Sequence, residues 1–472
     1  MKKLIGILFA LLLVSVSAFS LIGCGDGSEE ETNVAPVSFK YKLEKTETEG
    51  EETETYYVLT NVTVSDKAKS LIEKKDYEGL ATLFNTSVEG VYEAPAVQYT
   101  AETVRKLVIP GTYEGKTVKK IEKEAVVDLT YIEEIEVGSN IEEIGLGAFS
   151  GLTSLKTITL PFTGKKLGAV NGEKSFGYIF GTTSSDGLTS CAQTYNEGSS
   201  DNSATYYIPT SLKNVTIAGN NADSSETKKY ILEKDEDGND KIVYVDDDYA
   251  GENTVYTVVL DTSVYAVASY SFYNVSMVET VTLAGEIAGI ADATFYGCTA
   301  LKSVSLGGAV RIGANAFNGC TSLKTVDLTA VETIGASAFS GCTALGALAE
   351  NGTSQAVTVG AKEIGESAFS GCTAIDSVVF VSADAKIGDN AFKGCSALRS
   401  ISFNGANAEI GRFAFSSCDQ RLQSVDFTNV KSVGEGAFLG CTVLETITNL
   451  PAAEFIGTDA FRNTKWEEDQ NA

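Results

Sequence analysis

Histidine is absent from all 472 residues of the chain, tryptophan occurs once, methionine twice and proline only 6 times. Without histidine there is no Ser-His-Asp or Cys-His catalytic arrangement, no histidine-ligated zinc and no imidazole base. Enzymes that use carboxylates alone, such as glycosidases, stay compatible with this composition. The scarcity of proline beside 45 glycines argues against a proline-rich disordered chain and indicates many tight turns between short elements.

Basic residues are also few, because 36 lysines and arginines stand against 63 aspartates and glutamates, which gives a formal charge of −27. Phosphate backbones repel such a chain, so nucleic acid is not an expected partner. No residue pattern indicates a cofactor. The sequence does not specify an oligomeric state.

The amino terminus has the pattern of a bacterial lipoprotein signal. Two lysines precede an apolar stretch over residues 4–19, and Leu-Ile-Gly-Cys24 follows it. This order resembles a lipobox, whose cysteine thiol receives diacylglycerol before cleavage. The alternative, an uncleaved membrane anchor, is disfavoured because the apolar run is near the lower limit for a span, about 18 residues. We therefore expect a signal peptide over residues 1–23, lipidation at Cys24 and a flexible acidic tether over residues 24–36.

A repeat of about 23 residues organises most of the chain. Its pattern is Ile-Gly-x-x-Ala-Phe-x-Gly-Cys-x-x-Leu-x-x-Val-x-Leu, and its phenylalanine recurs at separations of 22 or 23 residues, with one of 30. The longer step coincides with a polar stretch at residues 350–355, which we expect to loop out. The marker residues are Phe272, Phe295, Phe317, Phe339, Phe369, Phe392, Phe415, Phe438 and Phe461.

Degenerate copies, one of them centred on Phe149, extend the array toward the amino terminus. Phe149 and Phe272 are 123 residues apart, and only residues 212–217 between them have the strand pattern. We therefore predict one repeat unit, or rung of the stack, flanked by two insertions at about residues 162–206 and 219–264. The second insertion alternates as β-hairpins do.

The residues of one repeat predict one rung of a stack. Leu301-Lys-Ser-Val-Ser-Leu306 alternates as a strand, with the serines outward. The glycine of the Ile-Gly pair permits a tight bend, and Ala-Phe-x-Gly-Cys is expected to form a short helical turn that directs phenylalanine and cysteine inward. No rung buries these residues alone, so neighbours must cover them. The predicted core contains Phe295, Phe317, Phe339, Phe369, Phe392, Phe415 and Phe438, with Cys320 and Cys395 representing the cysteines.

The repeat resembles the BspA-type leucine-rich repeat of bacterial surface proteins, over residues 104–463. The resemblance implies a β-rich solenoid, a leucine-rich-repeat array of stacked parallel short strands with short helical turns. Residues 37–103 show no repeat, and their pattern of two strands followed by one helix predicts a small α+β amino-terminal cap. The polar residues 464–472 are the expected carboxy-terminal tail.

Seven cysteines occupy one position of the repeat, and no C-x-x-C pair accompanies them, so no metal site is expected from them. Two interpretations stay open: a column of small buried hydrophobic residues, or disulfides between adjacent rungs, which lie about 4.8 Å apart. The cysteines are Cys298, Cys320, Cys342, Cys372, Cys395, Cys418 and Cys441.

An acidic stretch in the second insertion superficially resembles a calcium loop. Its glycine stands at the fourth position rather than the sixth, and no glutamate occupies the twelfth. We favour a hairpin turn that joins Ile231-Leu232 to Ile242-Val243, and a weak calcium site is the alternative. Its ligands would be Asp235, Asp237 and Asp240.

The outward strand positions form two columns of mostly small hydroxyl residues. A simple solvated surface explains them, and so does a wide recognition face of the kind that solenoids present. Arg399, Asp376 and Asp426 are the expected anchors of such a face, because charged side chains orient a partner on a surface of small uncharged residues. The candidate face consists of Asp376, Ser377, Arg399, Ser400, Ser402, Ser424, Asp426, Thr446 and Thr448.

Members of the resembled family are associated with adhesion to host or matrix proteins and to other microbes. The lipobox predicts an exported, membrane-anchored lipoprotein, and the resemblance implies that it is displayed at the cell surface. The resemblance adds that it binds an extracellular, matrix or host protein, and the absence of histidine argues against an enzyme. Two alternatives stay open. One is a structural envelope protein without a dedicated ligand, and the other is a glycan hydrolase with two convergent carboxylates in the insertions.

Overall fold

The computed structural model describes residues 36–45, 54–88, 99–196, 202–219, 225–234, 240–245, 256–261, 267–285, 287–347, 356–404 and 407–470. The motif at Cys24 and the tether lie outside these residues. No helix in the described part is long and apolar enough to cross a membrane. The chain forms two compact units: an amino-terminal unit (Met1–Thr159, Ile179–Thr189 and Pro209–Leu212) and a carboxy-terminal unit (Leu160–Tyr178, Ser190–Ile208 and Lys213–Ala472).

The amino-terminal residues form two strands and two helices: β1 (Val37–Lys45), β2 (Thr55–Val64), α1 (Asp66–Glu73) and α2 (Tyr77–Val88). The strands pair antiparallel, as the alternation predicts. The single predicted helix is wrong in one respect, because the chain breaks between α1 and α2. Lys75 adopts a φ of 56°, and the Asp76 side chain accepts the Gly79 N–H at 2.8 Å to start the second helix.

Short strands form the rest of the amino-terminal unit. They are β3 (Lys106–Ile109), β4 (Thr112–Tyr113), β5 (Lys116–Ile121), β6 (Glu134–Val137), β7 (Glu143–Ile144) and β8 (Thr157–Leu160), after a 3₁₀ helix at Thr103–Arg105. All of them pair in parallel except β4, which pairs antiparallel with β5. β3, β6 and β8 pair in register, so that Leu107, Ile135 and Ile158 lie side by side in the core. β5 pairs with β2 on one side and β7 on the other, which attaches the cap to the rungs through backbone hydrogen bonds.

The first insertion supplies part of a rung. It contains 3₁₀ helices at Asn171–Lys174 and Phe176–Phe180 and a two-stranded sheet of β9 (Leu188–Thr194) and β10 (Ser203–Pro209), and β11 (Asn214–Ile217) follows. The fully buried Phe176 ring stacks on Phe272 at 4.6 Å. Phe176 therefore takes the phenylalanine position that the sequence pattern leaves vacant. The pattern missed it because Gly177 follows directly and no cysteine does.

The second insertion is an antiparallel sheet of β12 (Ser225–Lys234), β13 (Asp240–Val245) and β14 (Tyr256–Asp261), with β12 in the centre. The predicted hairpin is confirmed, because Ile231 pairs with Val243 and Leu232 with Ile242. Asp235 and Asp237 lie outside the described residues, so the calcium alternative stays a prediction.

Most regular rungs of the carboxy-terminal unit have a front strand and a return strand, and isolated bridges at Thr325 and Leu328 replace the front strand of the rung whose return strand is Thr333–Ile334. Seven return strands form one parallel sheet, and the front strands form shorter ladders. The front strands are β15 (Thr280–Leu283), β17 (Ser303–Ser305), β20 (Val357–Val359), β22 (Ser377–Phe380), β24 (Ser400–Ser402), β26 (Ser424–Asp426) and β28 (Thr446–Thr448). The return strands are β16 (Gly289–Ile290), β18 (Arg311–Ile312), β19 (Thr333–Ile334), β21 (Glu363–Ile364), β23 (Asp384–Ile387), β25 (Asn407–Ile410) and β27 (Val430–Val433), and a 3₁₀ helix (Ala453–Phe455) and α3 (Lys465–Gln470) end the described chain.

The segment between return and front strands is a turn without helix, contrary to the sequence expectation. The Phe339 N–H donates to the Ala368 carbonyl of the next rung at 2.7 Å, and the Gly341 N–H donates to Ser370 O at 2.8 Å. Ser337 and Gly341 have positive φ values of 54° and 70°. Because alternate N–H groups bond between rungs and φ changes sign, the segment cannot close the i to i−4 bonds of a helix.

The core is a column of phenylalanine rings beside a column of thiols. Adjacent rings stack in parallel, as Phe317 and Phe339 do at 5.1 Å and 4°. The described repeat cysteines are free and buried. They form a column of thiols, and none of these described cysteines is joined by a disulfide to an adjacent rung. Each thiol donates to the phenylalanine carbonyl of the preceding rung, for example Cys342 Sγ to Phe317 O at 3.1 Å. The predicted core residues Phe295, Phe317, Phe339, Phe369, Phe392, Phe415, Phe438, Cys320 and Cys395 are all fully buried.

Candidate binding face

The front strands of the last rungs hold the predicted columns in register. Their inward residues Val378, Ile401 and Val425 are buried, which fixes the alternate residues on the outer side. The outward pairs are Ser377 with Ser400, Val379 with Ser402, Ser424 with Thr446, and Asp426 with Thr448. Of the nine predicted face residues, Ser377 is half-buried, Asp376 is buried, and Arg399, Ser400, Ser402, Ser424, Asp426, Thr446 and Thr448 are exposed.

Asp376 is not an exposed anchor, contrary to the sequence expectation. Its side chain is only 9% exposed, and its Oδ1 lies 3.4 Å from Arg399 Nε and 3.8 Å from Arg421 Nη1. A buried carboxylate is stable only with compensating charge or hydrogen bonds. Asp376 therefore lies within ion-pair distance of two guanidinium groups, whose side chains stay 61% and 48% exposed.

Sequence reasoning missed Arg421. Between Cys418 and Leu422 the chain has one residue more than the Cys-x-x-Leu spacing of the other regular rungs. The described front strands form no continuous ladder here, because β22 and β24 belong to one sheet and β26 and β28 to another. The extra residue is the sequence feature that could have indicated Arg421. The guanidinium group of Arg421 lies near the same Asp376 carboxylate as that of Arg399.

Asp426 is exposed, and hydrogen bonds from its own rung and from the next one fix its carboxylate. Its Oδ1 accepts hydrogen bonds from Thr428 N at 3.0 Å, Thr428 Oγ1 at 2.8 Å and Asn449 Nδ2 at 2.9 Å. The hydrogen bond from Asn449, followed by those from Thr428, lowers the pKa of Asp426 below its usual value. The carboxylate is thus an oriented negative charge at the edge of a surface whose positive charges are Arg399 and Arg421.

The described part of the first insertion gives little support to a hydrolase. Glu173 is engaged by Lys165 at 2.9 Å, so its charge is balanced by a cation rather than set against a second carboxylate. Among the described residues no group of three or more Cys, Asp or Glu side chains could hold a metal ion.

Comparison with known proteins identifies the family. The sequence matches the BspA type leucine rich repeat region in 6 copies, over residues 105–176, 247–354 and 361–468, which is more than half of the chain. Similar solved structures include a leucine-rich repeat protein from Bacteroides ovatus, at 15% identity over 92% of both chains with a TM-score of 0.29. Another is a leucine rich cell surface protein from Faecalibacterium prausnitzii, at 16% identity over 76% of this chain and 90% of that one, with a TM-score of 0.24.

The pneumococcal vaccine antigen PcpA is also similar, at 15% identity over 76% of both chains with a TM-score of 0.22. A comparison with curated proteins found no significant match. The repeat match covers the rungs whose parallel strands, phenylalanine column and thiol column are described above. The chain belongs to the BspA type leucine-rich repeat family and folds as a β-rich leucine-rich-repeat solenoid.

Proposed function

We propose that this chain is a cell-surface lipoprotein that binds an extracellular protein on the front strands of its last rungs. The observation that carries the proposal is the pair Arg399 and Arg421, held over the buried Asp376 carboxylate. The lipobox pattern ending at Cys24 supports display on a membrane. The repeat family supports recognition rather than catalysis.

The arginine pair is unusual in a chain with a formal charge of −27. Guanidinium groups bind carboxylates through two parallel hydrogen bonds, so the pair fits an acidic side chain or a short acidic segment of a partner. Both arginine side chains stay about half exposed, so ordering them on a partner costs about 0.5–1.5 kcal/mol each, which the charge-assisted hydrogen bonds must exceed.

The side chains next to the two arginines are short enough for a partner protein to approach the strands closely. Ser400, Ser402 and Ser424 are exposed and short, and Ser400 Oγ donates to Ser377 Oγ at 2.9 Å. Hydroxyl groups on paired strands keep fixed spacings, so they offer hydrogen bonds without a large ordering cost. Arg399 and Arg421 would orient the partner protein, and the hydroxyl residues would provide the contact area.

The proposal is tested with residues 25–472, the mature chain without its lipidated cysteine, presented to an immobilised panel of fibronectin, fibrinogen, laminin and collagen. Arg399→Glu combined with Arg421→Glu should weaken binding by about tenfold or more, because two attractive charges become repulsive. The matched control combines Lys386→Glu with Lys393→Glu, which changes the net charge equally on exposed residues away from the front strands. Circular dichroism verifies that both variants fold.

Equal binding by the two double variants would reject the arginine pair as the binding site. If the unsubstituted protein binds none of the panel, the structural envelope role gains support instead. Removing residues 165–205, which would probe the first insertion, is unsuitable here because it also removes Phe176 from the core.

A further inference from the structure

A cleft in the carboxy-terminal unit lies between the first insertion and the return strands. Its volume is about 820 Å³, within the range of small-molecule sites, about 300–1,000 Å³. Residues 168–171, Lys174 and Asn196 line one side, and residues 289–292 and 311–314 line the other. We name it the insertion cleft.

Lys174 is the buried charged group of the insertion cleft, and the exposed side chains of Arg311 and Asp292 also line it. The residue is only 8% exposed. Its Nζ donates to Ser269 Oγ at 3.0 Å and lies 5.4 Å from the centroid of the Tyr270 ring. Within the described ranges no carboxylate forms an ion pair with it, and the adjacent Glu173 is engaged by Lys165. Burial lowers the pKa of the Lys174 ammonium.

A buried ammonium without a counter-charge is costly, and lysines are rarely buried unless paired. Elsewhere in the same unit lysines meet acidic residues, as Lys302 and Lys213 meet Glu279. An ammonium has three donors, of which Ser269 accepts one. An anion that enters the insertion cleft would balance the Lys174 charge and accept hydrogen bonds from its remaining N–H donors.

The other polar groups along the insertion cleft are suited to hydroxyl groups. Asn196 Nδ2 donates to Asn171 Oδ1 at 3.2 Å, so the two amides are adjacent at the rim. Asp292 Oδ1 accepts the Ala314 N–H at 2.7 Å, which orients the carboxylate and leaves Oδ2 to accept another donor. Two amides on one side of the insertion cleft and a carboxylate on the other are donors and acceptors that a polyhydroxylated ligand can use.

The walls of the insertion cleft are fixed before any ligand enters. The fully buried Gln193 accepts the Gly177 N–H at 2.6 Å and donates to Ser271 O at 2.9 Å, which connects the inserted hairpin to a rung. Tyr206 donates its hydroxyl to Gly172 O at 2.9 Å, inside the turn that carries Lys174. A preformed site binds small ligands with little ordering cost.

We propose that the insertion cleft binds an acidic sugar whose carboxylate pairs with Lys174 and whose hydroxyl groups bond to Asn171, Asn196 and Asp292. The site is separate from the front strands, so its existence does not depend on the protein-binding role.

The test is isothermal titration of the mature chain with glucuronate and N-acetylneuraminate, and with glucose as the neutral probe. At least one acidic sugar should bind, and glucose should bind about tenfold more weakly or not at all. Lys174→Met, which keeps the length of the side chain and removes its charge, should weaken binding of the acidic sugar by about tenfold or more. Lys166→Met, an exposed lysine of the same insertion, should leave binding unchanged.

A second variant tests the hydroxyl groups independently of the buried lysine. Asn171→Ala combined with Asn196→Ala should also weaken binding of the acidic sugar, and thermal unfolding monitors whether each variant folds. The proposal is wrong if neither acidic sugar binds at millimolar concentration, or if Lys174→Met binds as the unsubstituted protein does. It is equally wrong if acetate binds as tightly as glucuronate, because the cleft would then recognise charge and no sugar.

Discussion

Each repeat phenylalanine is shared by two neighbours. Phe392 stacks on Phe369 at 4.8 Å and on Phe415 at 5.2 Å, and its side chain is fully buried. Its N–H donates to Ala414 O, and its carbonyl accepts the thiol of Cys418. One residue therefore joins three rungs through ring contacts and backbone bonds. Loss of the ring should affect the rungs on both sides.

Phe392→Ala should lower the free energy of unfolding by about 3–5 kcal/mol, because the neighbouring rings are held by their own backbones and cannot fill the cavity. The measurement is the denaturation midpoint in urea. Lys393→Ala is the matched control, since Lys393 is the next residue and is exposed. Equal midpoints for the two variants would show that the stacked column does not hold the rungs together.

The buried thiols predict sensitivity to alkaline pH. Burial raises the pKa of the Cys342 and Cys395 thiols to about 12, against about 8.5 in an unfolded chain. Between these values the folded protein keeps protons that the unfolded chain has lost. The stabilisation is therefore complete below about pH 8.5 and is lost as the pH rises toward the folded value.

Each such thiol should contribute a slope of about 1.4 kcal/mol per pH unit once the unfolded thiol is ionised. Unfolding in urea at several pH values between neutral and alkaline measures it. Cys395→Ala should show a flatter decline than the unsubstituted protein, whatever its stability at neutral pH. A parallel decline would mean that Cys395 ionises equally easily in the folded state.

At the scale of elements, the glycine after the return-strand isoleucine sets how closely rungs pack. A Cβ on Gly365 would lie 2.5 Å from Ala336 N of the preceding rung. The Gly365 N–H also donates to Ile334 O at 2.8 Å. Because the obstructing atoms are backbone, they cannot move without breaking the bonds between rungs.

Gly365→Ala should therefore destabilise the protein more than Gly394→Ala does. Gly394 has a φ of 73° and open space around its missing Cβ, so alanine there costs only the strain of a left-handed backbone, about 1–2 kcal/mol. Denaturation midpoints of the two variants decide the point. A larger loss for Gly394→Ala would show that close approach of the rungs is not the constraint.

The period of the sequence predicts most elements because each rung repeats one local pattern. Val304 and Leu306 are buried and Ser305 is exposed, as their alternation indicates. The pattern fails where a residue is determined by distant parts of the chain. Phe176 occupies the phenylalanine column from inside an insertion, and no local spacing marks it.

The candidate sites also contain some residues that the local repeat predicts and others that depend on distant parts of the chain. Sequence alternation places the outward hydroxyl residues such as Ser400 and Ser402 on the surface, since it depends only on the strand period. Arg399 precedes the strand, so the strand period does not determine its exposure. The approach of Arg421 to Asp376 joins residues two rungs apart and coincides with an extra residue in the later rung, which the repeat pattern does not contain. Lys174 belongs to no repeat, and its burial beside Ser269 and the Tyr270 ring is visible only once the insertion is folded.

At the scale of the whole molecule, the proposed surface role depends on how the chain is attached. Fatty acyl chains contribute about 0.8 kcal/mol per buried CH₂, and stable anchoring requires two chains or one chain with a second signal. A chain with a charge of −27 has no electrostatic attraction to anionic lipids to supply that second signal. A diacylglycerol thioether at Cys24 would by itself provide two acyl chains.

Cys24→Ala should therefore move the protein from the membrane fraction to the aqueous fraction in the native bacterium. Mass spectrometry of the unsubstituted protein should show a mature chain that starts at Cys24 and carries a diacylglycerol modification. Cys191→Ala is the control, because this thiol is free and buried in the first insertion and should leave the distribution unchanged. Membrane retention of Cys24→Ala, or an unmodified amino terminus elsewhere, would contradict the lipobox and leave the surface role without its anchor.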